Sequence, residues 1–325
     1  PIMNSSPLAA AVPAVSVHPP VAFVGIGNMG LPMAARLLAQ GWPVHVCDLD
    51  DQRCAEAAAL GARVHATPAQ AAAALGEGGL MVVVVVDADQ CRQVMWGRSG
   101  ADSLPGNADP AGAASALKPG QTVMWCPTIA PSDTESLDAR LAQQGVHSID
   151  APMSGGPVRA RDGTMSLMVA GPAPVVERHA AVLAALSGQV FRLGERVGDG
   201  ARTKLVNNLL AGINLVGAAE ALALADSLGL DGGRTLDVIE RSSGQSWIGS
   251  DRMRRALAGD LAPRAHMTLL AKDTRLATQA GADAGFEGPL GARTAAVFRA
   301  ACEHGLSELD DAAMLAFLQQ FAQSR

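Results

Sequence analysis

Short hydrophobic runs alternate with longer amphipathic stretches along the chain as far as Gly194. The runs are rich in β-branched side chains and have the length of strands. They cover residues 21–24, 43–47, 64–66, 81–86, 122–126, 147–150, 165–170 and 190–193. Helical patterns lie between them, at residues 33–38, 68–75, 132–143 and 174–186. Strands that alternate with helices predict an α/β fold with a doubly wound, mainly parallel sheet.

The strand pattern stops after Gly198, and apolar residues then keep helical spacing from Leu205 to about Leu228. Further helices are predicted over residues 233–242, 250–257, 265–280, 289–303 and 310–323. The first helix is apolar on most faces, which predicts a central element that the others cover and that also meets a second subunit. We therefore expect a sheet domain over residues 20–196, a long interdomain helix, and an all-helical domain over residues 197–325.

Residues 1–19 are rich in Ala, Pro, Val and Ser, and Pro13 interrupts their apolar run. They have no basic segment, so they make a poor signal peptide and we expect a flexible leader. Residues 97–119 contain Ser-Gly, Pro-Gly and Asp-Pro pairs and predict an irregular loop around a short helix. The apolar run at residues 80–86 is too short to cross a bilayer, and we expect no membrane association.

Composition narrows the possible functions. Hydrophobic residues make up 49% and charged residues 17% of the 325 residues, as expected of a globular chain with a large core. The net charge is −6 with scattered Lys and Arg, which argues against a nucleic-acid partner. The five cysteines and seven histidines have no metal-type spacing, so we expect no metal and reduced, cytoplasmic thiols. The absence of tyrosine excludes oxidoreductases whose proton donor is a tyrosine.

A glycine-rich turn follows the first strand, and the second strand ends at Asp48. This order of strand, turn, helix, strand and acid is that of a dinucleotide-binding site. The turn consists of Gly25, Ile26, Gly27, Asn28, Met29 and Gly30. A carboxylate at Asp48 can accept from the ribose 2′-hydroxyl and repels a 2′-phosphate, which favours NAD over NADP. Arg53 lies close enough in sequence to weaken that preference.

Three strand ends carry polar groups with two interpretations each. Asp87 follows the strand at residues 81–86 and lies either at the ligand edge or at the start of the next helix, and we favour the helix cap. Thr128 either contacts the nicotinamide end of the cofactor or satisfies its own turn. Ser154, Gly155 and Gly156 offer a hydroxyl and backbone N–H groups to a small anion such as a carboxylate, or form an ordinary turn.

Lys204 lies about one turn into the long apolar helix, for which Asp199 is the expected N-cap. Asn207 and Asn208 follow on the same face. The positive end of the helix dipole and burial both disfavour an ammonium, so Lys204 is a candidate for a lowered pKa and for proton exchange with a substrate. A solvated lysine on an ordinary helix is the alternative.

From about Val21 onward the chain resembles the β-hydroxyacid dehydrogenase family, and four segments carry the likeness. They are residues 23–33, residues 150–156 together with Gly163, residues 200–208, and Lys272-Asp273. The resemblance implies an N-terminal Rossmann domain and a C-terminal domain like that of 6-phosphogluconate dehydrogenase. It also implies that the glycine turn and Asp48 bind the dinucleotide, that Val85 and Val86 line it, and that Thr128 and Lys272 contact the nicotinamide.

At the substrate, the resemblance implies that Ser154, Gly155 and Gly156 hold a carboxylate, with Lys204 as general acid/base and Asn208 orienting the molecule. Residues 244–248 look most like those of the L-threonate dehydrogenase branch, where Ser246 and Trp247 close the pocket. A core aromatic is the other interpretation of Trp247. His266, Arg159 and Arg161 read as surface or capping residues. The 6-phosphogluconate and imine-reducing branches are disfavoured, because the former carries a histidine before the final Asn and the latter lacks the lysine.

The expected protein is thus an NAD-dependent dehydrogenase of a small 3-hydroxy or polyhydroxy acid, with an L-threonate-like substrate favoured. Two alternatives stay open: a reductase of a semialdehyde, such as tartronate semialdehyde, and a catalytically silent nucleotide-sensing protein. The apolar helices of the second half predict a homodimer or homotetramer.

Overall fold

In the computed structural model, which describes residues 18–97 and 110–323, a nine-stranded sheet forms the centre of the first half of the chain. Most of the predicted leader and residues 98–109 of the predicted loop lie outside the described residues. The strands are β1 (Val21–Val24), β2 (Val44–Cys47), β3 (Arg63–Val64), β4 (Leu80–Val83), β5 (Thr122–Trp125), β6 (His147–Asp150), β7 (Met153–Ser154), β8 (Met165–Ala170) and β9 (Ser187–Gly194).

The first six strands pair in parallel in the order β3-β2-β1-β4-β5-β6, which is the order of a Rossmann sheet. Beyond β6, strand β8 pairs antiparallel with β6 and β7 and parallel with β9. Eight helices accompany the sheet in the described residues. They are α1 (Gly30–Ala39), α2 (Asp51–Ala59), α3 (Pro68–Ala73), α4 (Ala88–Trp96), α5 (Pro131–Ala142), α6 (Gly156–Asp162), α7 (Ala173–Arg178) and α8 (Ala180–Leu186).

Both faces of the sheet are covered, as the continuous hydrophobic runs predicted. In β1, Val21 and Phe23 pack into one core, whereas Ala22 and Val24 pack into the core on the opposite face. All four residues are buried, because side chains of a strand point alternately to the two faces.

Helices alone form the second half in the described residues, as predicted. They are α9 (Asp199–Ser227), α10 (Gly232–Glu240), α11 (Trp247–Leu257), α12 (Met267–Asp283), α13 (Pro289–Ala301) and α14 (Met314–Gln323). Leu215, Ala219 and Leu222 of α9 pack in a third core with Phe298 of α13 and Met314 of α14. Among the described residues α9 is long and apolar enough to cross a membrane, a test that the core helix of a folded domain also passes.

Several element boundaries differ from the prediction. Strand β4 ends at Val83, so Val85 and Val86 lie in the loop that follows it. The helix predicted at residues 174–186 is two helices that meet at His179, whose Nε2 lies 2.9 Å from the Thr122 hydroxyl of β5. The helix predicted from residue 310 begins at Met314, because a single 3-10 turn precedes it.

Candidate active site

The glycine turn lies at the carboxyl ends of β1 and β4, where the strand order reverses and where open α/β sheets bind their ligands. A Cβ on Gly25 would lie 2.3 Å from the Val84 carbonyl oxygen, and one on Gly30 would lie 2.1 Å from the Gly25 carbonyl oxygen. A Cβ on Gly27, in contrast, would meet no atom of the described residues within 4 Å. Two of the glycines therefore serve close packing, and the third faces open space.

That open space fits the pyrophosphate of a dinucleotide. The N-cap residue Met29 makes no side-chain cap to α1, and the N–H groups of Leu31 and Met33 donate to the carbonyl oxygens of Gly27 and Met29. The positive end of the helix dipole faces the turn, and such an end favours phosphate. Val85 lies beside the turn, since its Cγ1 is 3.1 Å from the position of a Cβ on Gly25, whereas the Val86 side chain is exposed.

Asp48 follows β2 and its carboxylate is already engaged with backbone groups. Oδ2 accepts a hydrogen bond of 2.6 Å from the Ile26 N–H in the glycine turn, and Oδ1 accepts one of 2.9 Å from the Asp50 N–H. The carboxylate therefore braces the turn. Arg53 on α2 lies across the same turn, with Nη2 3.4 Å from Asn28 Oδ1 and Nη1 3.3 Å from Glu56. A cation thus lies close to the predicted ribose site.

Asp87 is a helix cap, as favoured from the sequence. Its Oδ1 accepts a hydrogen bond of 2.8 Å from the Gln90 N–H at the start of α4. The carboxylate is therefore accounted for by local structure.

Lys204 lies in the second turn of α9 and is 8% exposed. Burial lowers the pKa of its ammonium. The carboxylate of Asp273 opposes this, and the positive charge of Lys272 adds to it. The environment thus shifts the equilibrium towards the neutral amine, the form that accepts a proton.

The prediction that Asp199 caps α9 is wrong. Gly198 is the N-cap residue and Asp199 is the first residue of the helix, where its carboxylate pairs with Arg196 at 2.6 Å and with Arg202 at 3.1 Å. The capping carboxylate is that of Asp150, whose Oδ2 accepts from the N–H groups of Gly198 at 2.9 Å and Ala201 at 2.8 Å.

A chain of polar contacts connects Asn208 to the sheet domain. Asn208 Nδ2 donates a hydrogen bond of 2.6 Å to Asp273 Oδ2, and Asp273 Oδ1 lies 2.9 Å from Lys272 Nζ. Lys272 Nζ in turn donates to the carbonyl oxygen of Thr128, in the loop after β5. The structure thus brings together Lys204, Asn208, Lys272 and Thr128, residues to which the family resemblance gives roles at the substrate and the nicotinamide. Asp273 is the residue whose part in this cluster the sequence did not reveal, although it follows Lys272 directly.

Ser154 and the two glycines form a tight turn between β7 and α6. Gly155 has a φ of 134° and Gly156 a φ of 71°, values that residues with a Cβ adopt only with strain. A Cβ on Gly155 would also lie 2.8 Å from Arg159 Cδ. The turn therefore requires glycine at both positions. Arg159 and Arg161 lie exposed on α6, and His266 precedes α12 with Nδ1 3.1 Å from the Glu308 carbonyl oxygen.

Trp247 is not a core aromatic, because it is the first residue of α11 and is 66% exposed. Ser246 caps this helix by accepting a hydrogen bond of 3.1 Å from the Gly249 N–H. A Cβ on Gly249 would lie 3.0 Å from Ala218, which is about four turns beyond Lys204 along α9. Within one chain, α11 thus packs on the part of α9 that is remote from the lysine.

Comparison with known proteins matches both halves of the chain. Residues 20–194 match the family described as the NAD binding domain of 6-phosphogluconate dehydrogenase, and residues 198–318 match that described as NAD-binding of NADP-dependent 3-hydroxyisobutyrate dehydrogenase. The L-threonate dehydrogenase of Cupriavidus necator is 36% identical over 296 residues, 91% of this chain and 94% of the relative.

The NAD-dependent L-serine dehydrogenase of Pseudomonas aeruginosa is 30% identical, over 89% of this chain and 94% of its own length. Among solved structures, the 3-hydroxyisobutyrate dehydrogenase of Salmonella typhimurium aligns with a TM-score of 0.81 at 32% identity, over 92% of this chain and 99% of that chain. The protein therefore belongs to the β-hydroxyacid dehydrogenase family and is an NAD-dependent hydroxyacid dehydrogenase.

Proposed function

We propose that the enzyme oxidises a hydroxyl group of a small polyhydroxy acid, with L-threonate as the favoured substrate and Lys204 as the general base. The observation that carries this proposal is the buried amine of Lys204, set in a polar cluster between a dinucleotide cradle and a helical domain. Oxidation of an alcohol releases a hydride from carbon and a proton from oxygen. Bound NAD supplies the hydride acceptor, and neutral Lys204 takes the proton.

Each remaining residue has a role that its geometry permits. Ser154, Gly155 and Gly156 would hold the substrate carboxylate. Asn208 would orient the substrate, and its amide is fixed for this because Oδ1 accepts from Asn207 at 3.0 Å while Nδ2 donates to Asp273.

On the cofactor side, Asp48 would accept from the ribose while it braces the glycine turn, and Val85 and Val86 would line the dinucleotide. Lys272 and Thr128, already joined to each other, would contact the nicotinamide end.

Trp247 would close the substrate pocket only through a rearrangement or a second subunit, because α11 packs far along α9 from Lys204. We retain Trp247 as a candidate substrate residue because residues 244–248 resemble those of the L-threonate dehydrogenase branch. The L-threonate dehydrogenase relative supports this substrate preference.

The test is NAD reduction with a panel of L-threonate, D-glycerate, L-serine and 3-hydroxyisobutyrate. The expected result is the highest kcat/KM with L-threonate. A higher kcat/KM with another acid would identify that acid as the preferred substrate and would leave the proposed hydride and proton transfer unchanged. A semialdehyde that consumes NADH faster than any acid reduces NAD would support the reductase alternative. Nucleotide binding without turnover in either direction would support the silent alternative.

The matched variant for the chemical step is Lys204→Met, which keeps the length and burial of the stem but has no amine. We expect NAD affinity within about twofold of the wild type and a turnover lower by about a hundredfold to ten-thousandfold, because general base catalysis contributes factors of about 10² to 10⁴. Near-normal turnover in this variant would overturn the assignment of Lys204.

We propose further that the chain forms a homodimer or homotetramer through the helical domain, residues 197–325. Val206, Leu210 and Leu224 lie on one face of α9 in line with its C-cap residue Leu228, and each is more than half exposed. A stripe of this kind on a central helix is typical of a subunit interface. Leu224→Glu should lower the mass measured by light scattering, whereas Leu60→Glu, at the exposed residue just after α2, should not. A monomeric wild type would contradict the proposal.

A cytoplasmic location is also proposed. All five cysteines lie within the described residues and are free thiols, as expected in a reducing compartment. Cell fractionation tests this location. Active protein found in an oxidising compartment and absent from the cytoplasm would contradict the proposal.

A further inference from the structure

Asp150 is a buried carboxyl at the end of β6 that caps a helix of the other half of the protein. It is 1% exposed, and its Oδ2 accepts from the N–H groups of Gly198 and Ala201 at the start of α9. The first N–H groups of a helix have no partner within it, and a side chain at the N-cap position normally supplies the acceptor. Gly198 holds that position in α9 and has no side chain. The acceptor therefore comes from the sheet.

The start of α9 lies so close to the sheet that the contact requires a glycine at position 200. A Cβ on Gly200 would lie 2.6 Å from the Met168 carbonyl oxygen and 2.9 Å from Asp150 Cγ. Gly200 thus lets the helix terminus rest directly on the carboxylate and on β8. A contact of this kind leaves little freedom for the end of α9 to shift relative to the sheet.

Asp150 also stands between two parts of the candidate active site. Its main chain runs on through Ala151 and Pro152 to Ser154, the first residue of the turn proposed for the substrate carboxylate. Its side chain binds Ala201, and Lys204 lies about one turn further along α9. The main chain of Asp150 therefore leads to the turn proposed for the anion, and its side chain binds the helix that carries Lys204.

We propose that Asp150 is a positioning residue, which holds the amino terminus of α9 on β6 and thereby fixes Lys204 relative to the Ser154–Gly156 turn. The proposal rests on the function proposed for Lys204. Asp150 does not touch the reacting atoms in this assignment. Its effect reaches the reaction through geometry, and a misplacement of about 1 Å can lower a rate by about a hundredfold.

The ionisation of Asp150 allows its positioning role to be distinguished experimentally from a contribution to the stability of the fold. Burial raises the pKa of its carboxyl to about 7, and hydrogen bonds from the N–H groups of Ala201, Gly198 and Gly200 oppose this rise. Because the pKa of the folded protein lies above the ordinary value of 3.8, the contribution of this group to stability is greatest at low pH and is lost as pH rises to about 7. At pH 8 the carboxylate is therefore costly for folding, and a neutral amide of the same shape should not lower the melting temperature.

The test compares Asp150→Asn and Asp150→Ala at pH 8 with saturating NAD and L-threonate, or with the best acid of the panel. We expect kcat to fall about tenfold to a hundredfold in Asp150→Ala and about threefold to tenfold in Asp150→Asn, which keeps one acceptor. The Kd for NAD, measured by calorimetry, should stay within about twofold. The melting temperature of Asp150→Asn should equal or exceed that of the wild type.

Asp138→Asn is the matched control. Its carboxyl is also partly buried and hydrogen-bonds to Ser148 of the same strand, but it lies on α5 rather than at the start of α9. A kcat in Asp150→Asn within twofold of the wild type overturns the proposal, and so does an equal loss in Asp138→Asn. If Asp150→Ala does not fold, the amide variant alone decides. Lys204→Met is measured in parallel: turnover retained there defeats the proposed function itself, whereas turnover lost there and kept in Asp150→Asn defeats only the role of Asp150.

Discussion

At the scale of single residues, the proposed chemistry depends on an amine that is kept away from water. An ordinary lysine has a pKa near 10.5 and is almost fully protonated at neutral pH, which makes it a poor base. Burial lowers the pKa of Lys204, and the two charges that face it from α12 act in opposite directions. The charges of Lys272 and Asp273 thus shift the pKa of the proposed base in opposite directions.

The first prediction concerns Asp273. The kcat/KM for oxidation should rise with pH and level off above the pKa of Lys204, because only the neutral amine accepts the proton. The Asp273 carboxylate raises this pKa by favouring the ammonium. In Asp273→Asn, which keeps an acceptor for Asn208, the rising limb should therefore move to lower pH. Asp89→Asn, a variant of an exposed carboxylate on α4, should leave the limb in place. A limb that moves to higher pH in Asp273→Asn contradicts this account.

The second prediction separates two effects of Asp48. Asp48→Ala should favour NADP over NAD by about tenfold or more relative to wild type, since the carboxylate repels a 2′-phosphate. It should also weaken both cofactors, because the Ile26 N–H loses its acceptor, a loss of about 1–3 kcal/mol. Asp48→Asn keeps an acceptor without the charge and should show the change of preference with a smaller loss of affinity. Arg53→Ala in the same background should reverse the gain. Equal kcat/KM ratios for both cofactors in all four proteins would refute the assignment.

The sequence predicted residues whose partners lie nearby along the chain and missed those whose partners do not. The cap at Asp87 was predictable because its acceptor and donor lie within one turn. The start of α9 was not, because Asp199 has the right side chain but turns to arginines on its exposed side. Its place is taken by Asp150, which precedes Gly198 by 48 residues in the chain and lies on a strand of the sheet. Asp273 belongs to a segment that carries the family resemblance, but its contact with Asn208 was not predicted, since the two residues lie on different helices.

At the scale of elements, the hydrophobic pattern predicted which strands and helices exist better than it predicted where each of them ends. The β-branched run after Gly79 predicted a strand through residue 86, but the strand ends at Val83. Val84 packs against the glycine turn, with its carbonyl oxygen beside Gly25 and its Cβ beside Gly30. Helix α6 escaped prediction, since it starts at a glycine and a proline and spans only residues 156–162. The break between α7 and α8 depends on a tertiary contact of His179 with Thr122, which no local pattern reveals.

The third prediction concerns that break. Burial lowers the pKa of His179 to about 4, with a smaller effect from the positive charge of Arg178. Because the folded-state pKa lies below the ordinary 6.5, the stability that neutral His179 contributes is full above pH 6.5 and is lost as pH falls towards 4. His179→Gln keeps a polar partner for Thr122 and does not titrate. Urea unfolding at pH 7 and pH 5 should show a loss of free energy of unfolding smaller by about 1–3 kcal/mol in the variant. An equal loss in both proteins would show that His179 does not titrate on unfolding.

At the scale of the whole molecule, Asp150, Lys272 and Arg202 make polar contacts of different burial that join the two halves within the described residues. Asp150 holds the start of α9 from within the sheet domain, and Lys272 of α12 reaches the carbonyl oxygen of Thr128 beside the candidate active site. Arg202 of α9 pairs with Glu135 of α5 at 2.6 Å, where both side chains are more than a third exposed. Exposed pairs of this kind contribute about 0–1 kcal/mol. We therefore attribute the alignment of the two halves mainly to the buried contact of Asp150 and the part-buried contact of Lys272.

The last prediction tests this attribution through Lys272. Lys272→Met removes the contact with Thr128 and also removes a positive charge that lowers the pKa of Lys204. We therefore expect kcat to fall about tenfold or more and the rising limb of kcat/KM to move to higher pH, opposite to its movement in Asp273→Asn. Arg202→Ala breaks the exposed contact on the same helix as Lys204 and should change neither quantity by more than about twofold. Loss of rate in Lys272→Met without movement of the limb would assign Lys272 to alignment alone. Movement of the limb at unchanged kcat would assign it to electrostatics alone, and the alignment of the two halves would then depend on Asp150.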